Sequence, residues 1–230
     1  MALQKTSNEI KNIERACKIT DEIFSQVISN FFFKTERELA LYIRREIKKR
    51  GLREAFPPIV TSGARAGNEI HPKYTNSQLE GFVIIDFGVR VHGYCSDMTR
   101  TIYVGKPTKK EKDIYAKILF AKKAGEKMVR HGTVCALADK ASRTALGTFS
   151  KYFIHTLGHG VGRRIHELPR IYFKREKDVF LENMIVTVEP GIYIPDKLGI
   201  RIEDTYLVTK KGAVPLTRSP QKLIIFPKIH

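Results

Sequence analysis

Two apolar, β-branched runs in this chain each end on an acid. Phe82-Val83-Ile84-Ile85 runs into Asp86, and Met184-Ile185-Val186-Thr187-Val188 runs into Glu189. Runs of this composition form buried strands. A carboxylate ending a buried strand is costly unless it is paired or bound to a cation. Each acid has a companion downstream, Asp97 after Asp86 and Glu203 after Glu189. The midpoint of the first pair falls at Val91/His92, beside Gly93, and that of the second at Asp196, between Pro195 and Gly199. Both midpoints suit hairpin tips, which would set the acids of each pair side by side across adjacent strands, within cross-strand reach. The two halves are expected to be related by approximate twofold symmetry. A single such acid is usually a salt-bridged strand end. Two hairpins offering two acids each point to hard cations held by oxygen ligands.

Around the hairpins the hydrophobic period changes. Ile10, Ile13, Cys17, Thr20, Phe24, Val27 and Phe31 recur at three–four spacing, and so do Leu39, Ile43 and Ile47, so the first fifty residues read as two helices. Thr6/Glu9, Thr35/Glu38 and Thr108/Glu111 have capping-box spacing. The third box predicts a helix to about Arg130, stopping near Gly132, and another helix is expected over Cys135 to Leu146. Further strands are expected at Ile59 to Thr61, Met98 to Val104, Ile200 to Val208 and Leu223 to Phe226. Helices, strands, helices, strands is the order of an α+β fold with helices on one face of an antiparallel sheet.

The chain has 230 residues, 42% of them hydrophobic and 28% charged, which excludes disorder, collagen and coiled coil. No apolar run approaches the ~18 residues of a membrane span. The polar start from Met1 to Glu9 is not a secretory signal, and three scattered cysteines make no disulfide framework, so a cytoplasmic protein without membrane contact is expected. With 41 basic residues against 24 acidic ones the formal charge is +17. Such a field favours anionic partners such as RNA or the ribosome. The basic residues fall in short clusters without interleaved aromatics, which favours a solvated surface over a nucleic-acid platform.

Three histidines gather in one short stretch: His155-Thr-Leu-Gly158-His159-Gly160-Val-Gly162, then His166-Glu167-Leu-Pro169. One histidine alone is more often a core or surface residue than a ligand. Three with glycine spacing shift that balance, because glycine lets backbone and imidazole approach a bound group closely. Four carboxylates and one histidine suit a pair of divalent metals. Cys95, two residues from Asp97, is read as a small buried residue, and His92 and His230 as surface residues.

Asp86 with Gly88, Gly93-Tyr94-Cys95-Ser96-Asp97-Met98-Thr99-Arg100-Thr101, the His155–Gly162 stretch, His166-Glu167-x-Pro169, Val188-Glu189-Pro190-Gly191-Ile192-Tyr193 and Arg201-Ile202-Glu203-Asp204 together resemble the signatures of the pita-bread metallopeptidases. These include methionine aminopeptidases, Xaa-Pro aminopeptidases, prolidases and creatinase. The resemblance runs from about residue 7 to 215. It implies the pita-bread fold, a curved antiparallel sheet with helices on its outer face, and two divalent metal ions (manganese, cobalt, iron or zinc). By resemblance the metal ligands are Asp86, Asp97, His159, Glu189 and Glu203, with Asp97 and Glu203 bridging. Glu189 also shuttles a proton, and His166 binds the scissile carbonyl or the oxyanion. His71, in Asn68-Glu69-Ile70-His71-Pro72, and His155 face the substrate. Arg201 lies beside the bridging Glu203 and orients it.

His155, the Arg201–Asp204 motif and Phe56-Pro57-Pro58-Ile59 are similar to the proline-directed branch. The expectation is an Xaa-Pro exopeptidase acting on short peptides with proline second, by attack of a metal-bridged hydroxide. The alternatives are a methionine aminopeptidase-type enzyme, or a non-hydrolytic pita-bread module binding ribosome, RNA or protein. A single catalytic domain over 1–230 is expected, without the N-terminal domain usual in prolidases, as monomer or homodimer. Lys34 departs from the family pattern, standing where a Gly is usual.

Overall fold

A computed structural model describes residues 3–229, so His230 lies outside the described residues. Helix α1 (Ser7–Ser29) buries Ile13, Cys17, Thr20, Phe24 and Val27 along one stripe, and Thr6 and Glu9 complete their capping box. Helix α2 (Glu36–Lys49) buries Leu39, Ile43 and Ile47. Its cap is only half a box. Thr35 accepts from the Glu38 amide, but the Glu38 carboxylate accepts from the Lys34 amide, one residue early, at 2.8 Å.

Helix α3 (Lys109–Glu126) begins on a complete Thr108–Glu111 box and ends four residues before Arg130. The chain leaves the helix there to bury Val129, and the Gly132 amide donates to the Phe180 carbonyl. Helix α4 (Cys135–Leu146) has the expected bounds and stops on Gly147, whose φ of 59° is a glycine conformation.

The strands are β1 (Arg53–Glu54), β2 (Ile59–Ser62), β3 (Gly81–Phe87), β4 (Val89–Val91), β5 (Tyr94–Cys95), β6 (Met98–Val104) and β7 (Gly158–Gly160) in the first part of the chain. The remainder are β8 (Glu167–Ile171), β9 (Ile185–Val188), β10 (Gly191–Ile194), β11 (Leu198–Arg201), β12 (Asp204–Thr209), β13 (Gly212–Pro215) and β14 (Ile225–Phe226). Their ladders form a four-stranded sheet, β14-β6-β3-β2, and a five-stranded sheet, β13-β12-β9-β7-β8. Smaller sheets, β1-β4-β5 and β10-β11, carry the two hairpin tips. Every pair is antiparallel except β14 with β6, which is parallel.

The hairpin tips fall where the acid spacing put them. His92 and Gly93 have φ of 48° and 86°, and Asp196 has φ of 55°. The strand expected over Ile200 to Val208 is two strands, because the ladder breaks at Ile202-Glu203. The Glu203 amide donates instead to the Thr99 carbonyl of β6, at 3.0 Å, and so ties the two halves together. Helices α1 and α2 share one apolar cluster with β3 and β6, and α3 and α4 share another with β9 and β12. The arrangement is α+β, with one helix pair covering each half. None of the described helices is long and apolar enough to cross a membrane.

Candidate metal centre and pocket

The four acids sit where strand pairing begins or ends. Asp86 lies near the end of β3, Asp97 just before β6, Glu189 just after β9 and Glu203 just before β12. Asp86 is still paired on both sides, with Ile59 and Thr99, while the other three stand one residue outside their strands. His159 occupies the middle of β7, between Gly158 and Gly160. A Cβ on either glycine would collide with the carbonyl of Thr187 or Leu168, so only glycine lets β7 lie this close.

His159 Nε2 is 3.5 Å from Asp97 Oδ2 and 3.4 Å from Glu189 Oε1. Ligand atoms of Asp97, His159 and Glu203 all lie within 4.8 Å of one another. His159 Nδ1 faces the Gly160 carbonyl at 3.1 Å, which leaves Nε2 with its lone pair toward the acids. Burial, ahead of the charge on His166, pushes the His159 pKa down to about 3, so the ring is neutral. That is the form that binds metal. Burial, then the charge of Glu203, raises Asp97 and Glu189 well above the ordinary carboxylate range. Glu203 is raised in the same way, by burial and then by Asp86.

Asp86 Oδ1 and Glu203 Oε1 are buried without a hydrogen-bond partner. Clustered buried carboxylates with orphaned oxygens are unstable unless cations compensate them. The donor set, oxygens with one imidazole nitrogen, fits divalent ions such as manganese, cobalt, iron or zinc.

Arg201 is buried beside the acids. Its Nη2 donates to Asp86 Oδ2 at 2.7 Å, an ion pair, and it reaches Glu203 only through Thr99. Arg201 Nε donates to the Thr99 hydroxyl at 3.2 Å, and that hydroxyl donates to Glu203 Oε2 at 2.7 Å. The Arg201 backbone exchanges hydrogen bonds with the Thr101 hydroxyl, which sets the guanidinium on the Asp86 side.

Above the acids lies a cavity of about 810 Å³. Eight of the nine predicted site residues line it, and Arg201 lies beneath its floor. The His166 ring stands nearly perpendicular to that of His159, with centroids 4.4 Å apart. His155 is held at both nitrogens, Nδ1 by the Thr156 carbonyl at 2.8 Å and Nε2 by the Tyr193 hydroxyl at 3.1 Å. Burial, then Arg201, pushes its pKa down to about 3. His71 lines the mouth, and burial followed by Arg201 lowers its pKa.

Sequence reading assigned no role to Tyr193 or Thr99. Tyr193 accepts from Arg201 Nη1 at 2.6 Å and so joins it to His155. A signal was available: both residues fall inside the same sequence motifs, two positions after Gly191 and Asp97 respectively. Cationic Arg37, Lys73 and Arg170 also line the cavity, with Phe56, Pro57 and Pro58 as an apolar wall. Cys95 is buried and its thiol pKa is raised, chiefly by burial, as for a packing residue. His92 is exposed at its hairpin tip.

Comparison with known proteins places these features in a family. The chain is 39% identical over 230 residues to the Xaa-Pro dipeptidase of Pyrococcus horikoshii, covering 97% of this chain and 65% of that protein. It is 39% identical to the Xaa-Pro dipeptidase of Pyrococcus furiosus over 226 residues, covering 96% and 64%. It therefore spans about 65% of the length of these curated relatives. The crystal structure of the prolidase from P. horikoshii superposes with a TM-score of 0.91 at 38% identity, over 96% of this chain and 65% of that one. That of the X-Pro aminopeptidase from Thermotoga maritima gives 0.92 at 31% identity, over 97% and 65%. The fold is the pita-bread fold of these enzymes, whose family uses two divalent metals. The model of metallopeptidase family M24 matches residues 11–210, which contain every ligand-bearing strand and all nine site residues. The chain belongs to metallopeptidase family M24.

Proposed function

We propose that the protein is a two-metal exopeptidase that removes the residue preceding proline from short peptides. One observation carries the reading: three buried acids, the largely buried Glu189 and a neutral His159 converge, with two orphaned oxygens among them, under a cavity ringed by three further histidines. Asp86, Asp97, His159, Glu189 and Glu203 would hold the ions. Bound there, divalent ions supply an activated water at neutral pH and polarise a carbonyl.

The chain's own side chains do the rest. Glu189, raised by burial, takes the proton of the attacking water on its carboxylate and hands it to the proline nitrogen as the peptide bond breaks. His166 stands over the ligand His159 and donates to the oxygen on which negative charge develops. His71 and His155 border the substrate, and Tyr193 keeps the His155 ring oriented. Phe56, Pro57 and Ile70 offer an apolar wall to a pyrrolidine ring, and the names of the relatives point to the same residue. Three free, buried cysteines support a reducing, cytoplasmic setting. The exposed lysines of α3, among them Lys109, Lys110 and Lys117, support contact with anionic partners such as ribosome or RNA, measured by cosedimentation at rising salt.

The test is hydrolysis of an Xaa-Pro dipeptide, an Xaa-Pro tripeptide and Met-Ala-Ser, each with added manganese or cobalt and with chelator. Chelator-sensitive cleavage of the proline peptides is the expected result, and the ratio of the two names the subclass. Cleavage of Met-Ala-Ser alone moves the protein to the methionine aminopeptidase type. No cleavage with any metal overturns the reading.

A further inference from the structure

Glu36 is fully buried, lies outside the cavity and takes no part in the chemistry above. A buried carboxylate needs donors to offset its lost hydration, and Glu36 has an unusual set. Its Oε1 accepts from the Ser62 amide at 3.0 Å and from Arg65 Nε at 3.3 Å. Its Oε2 accepts from the Thr75 amide and hydroxyl, both at 2.9 Å, and from Arg65 Nη2 at 3.2 Å. Every one of these donors belongs to a single stretch of chain, Ser62 to Thr75. Arg65 carries the grip further by donating to the Lys73 carbonyl. The first turn of α2 adds backbone bonds, from the Glu36 amide to the Ser77 carbonyl and from the Arg37 amide to the Thr75 carbonyl.

His71 sits in the middle of that stretch. From Asn68 to Ser77 there is no helix and no strand, so no ladder holds it in place. Such a segment is mobile unless side chains restrain it. Its cavity side is restrained by the second half of the molecule. Arg201 Nη1 donates to the Ile70 carbonyl at 3.1 Å, and Asn68 and Asp196 exchange two hydrogen bonds. Its outer side is held chiefly by one carboxylate. We propose that Glu36 is a positioning residue: by gripping Ser62, Arg65 and Thr75 it sets the height of His71 over the metal centre. The proposal rests on the exopeptidase reading for its kinetic consequence, not for its structural one.

The test uses the manganese-loaded protein with Glu36→Ala, Glu36→Gln and Thr75→Val, each alone and with His71→Ala. Amide exchange by mass spectrometry is expected to rise in peptides covering 62–77 and nowhere else in Glu36→Ala, with both metals retained. A displacement of His71 by about 1 Å should lower kcat/KM on an Xaa-Pro dipeptide by roughly 10²-fold. Glu36→Gln keeps the side-chain length and one accepting oxygen, and should recover part of that loss. Thr75→Val, which removes one hydroxyl donor and serves if Glu36→Ala does not fold, should give a smaller effect confined to the same peptides. In the His71→Ala background the kinetic effect of Glu36→Ala should largely vanish, because residues acting through one another are not additive. The same loss in both backgrounds overturns the proposal, as does faster exchange spread through α1 and α2, or unchanged exchange in 62–77. If the parent protein cleaves no Xaa-Pro peptide, the exopeptidase reading fails, and the exchange pattern alone decides the role of Glu36.

Discussion

The residues proposed to hold metal and the histidines proposed to face the substrate are held in different ways. Asp86, Asp97, His159, Glu189 and Glu203 lie on strands or at most one residue beyond them, and sheet pairing sets their positions. His71 and His155 lie outside the strands and His166 stands one residue before β8, and an ion pair away from the metal centre holds the chain beside each. Glu36 and Arg65 hold the His71 segment. Arg143, paired with Asp139 at 3.0 Å, donates to the carbonyls of Phe153 and His155, both at 2.7 Å. Lys5 and Glu167 form a largely buried pair at 2.7 Å beside His166. The difference teaches that strand pairing can bring acids from distant parts of the chain together, whereas loops that face the cavity need buried charge to stay still. A ladder fixes many atoms cooperatively; a loop has only the donors and acceptors that reach it.

This contrast can be broken experimentally. The largest effect is expected for His159→Ala, which should lose one of the two metals and nearly all peptidase activity, read by metal analysis and turnover. Full turnover in metal-replete buffer would sink the ligand assignment. Next, His166→Ala should keep both metals while kcat falls about 10²–10³-fold, the cost of one donor to a developing oxyanion. Loss of metal in that variant would erase the distinction between the two groups. Arg201→Met leaves Asp86 without its ion-pair partner, so metal affinity should weaken about 10–100-fold, measured by titration with manganese.

The smallest effect is at the surface. Thr6→Ala should cost about 1 kcal/mol of stability by removing the cap of α1, with metal content and kinetics unchanged. The Thr6 amide, despite some burial, holds the Glu9 carboxyl below its ordinary range. Its stabilisation is therefore complete above the pKa of the unfolded chain and is lost as pH falls through the folded value. Thr6→Ala keeps that amide, so the melting temperatures of the two proteins should fall together as pH drops, their difference narrowing only by the lost bond from the Thr6 hydroxyl to the Glu9 carboxylate.

Much of this was legible because local chemistry repeats in space. An apolar run ending on an acid is a strand ending on an acid wherever it folds, so Asp86 and Glu189 could be found, and the spacing to Asp97 and Glu203 located both hairpin tips. The capping boxes marked the starts of α1 and α3 because caps are contacts three residues apart. The break at Glu203 was not legible. It depends on an amide reaching the Thr99 carbonyl in the other half, and β-propensity in 200–208 argued for a continuous strand. Nor was the role of Glu36, whose partners lie 26 to 39 residues away in sequence.

Residue type, period and order pointed to an α+β fold, to the two pairs of acids and to the histidine cluster, and the resemblance to the pita-bread metallopeptidases implied which of them hold metal. Only the tertiary structure decided that Arg201 pairs with Asp86, that Tyr193 joins it to His155, and that Glu36 holds the His71 segment. These are hydrogen bonds between segments distant in the chain. Their partners are selected by which donors and acceptors the packed halves bring within about 3 Å, a distance that no local pattern encodes.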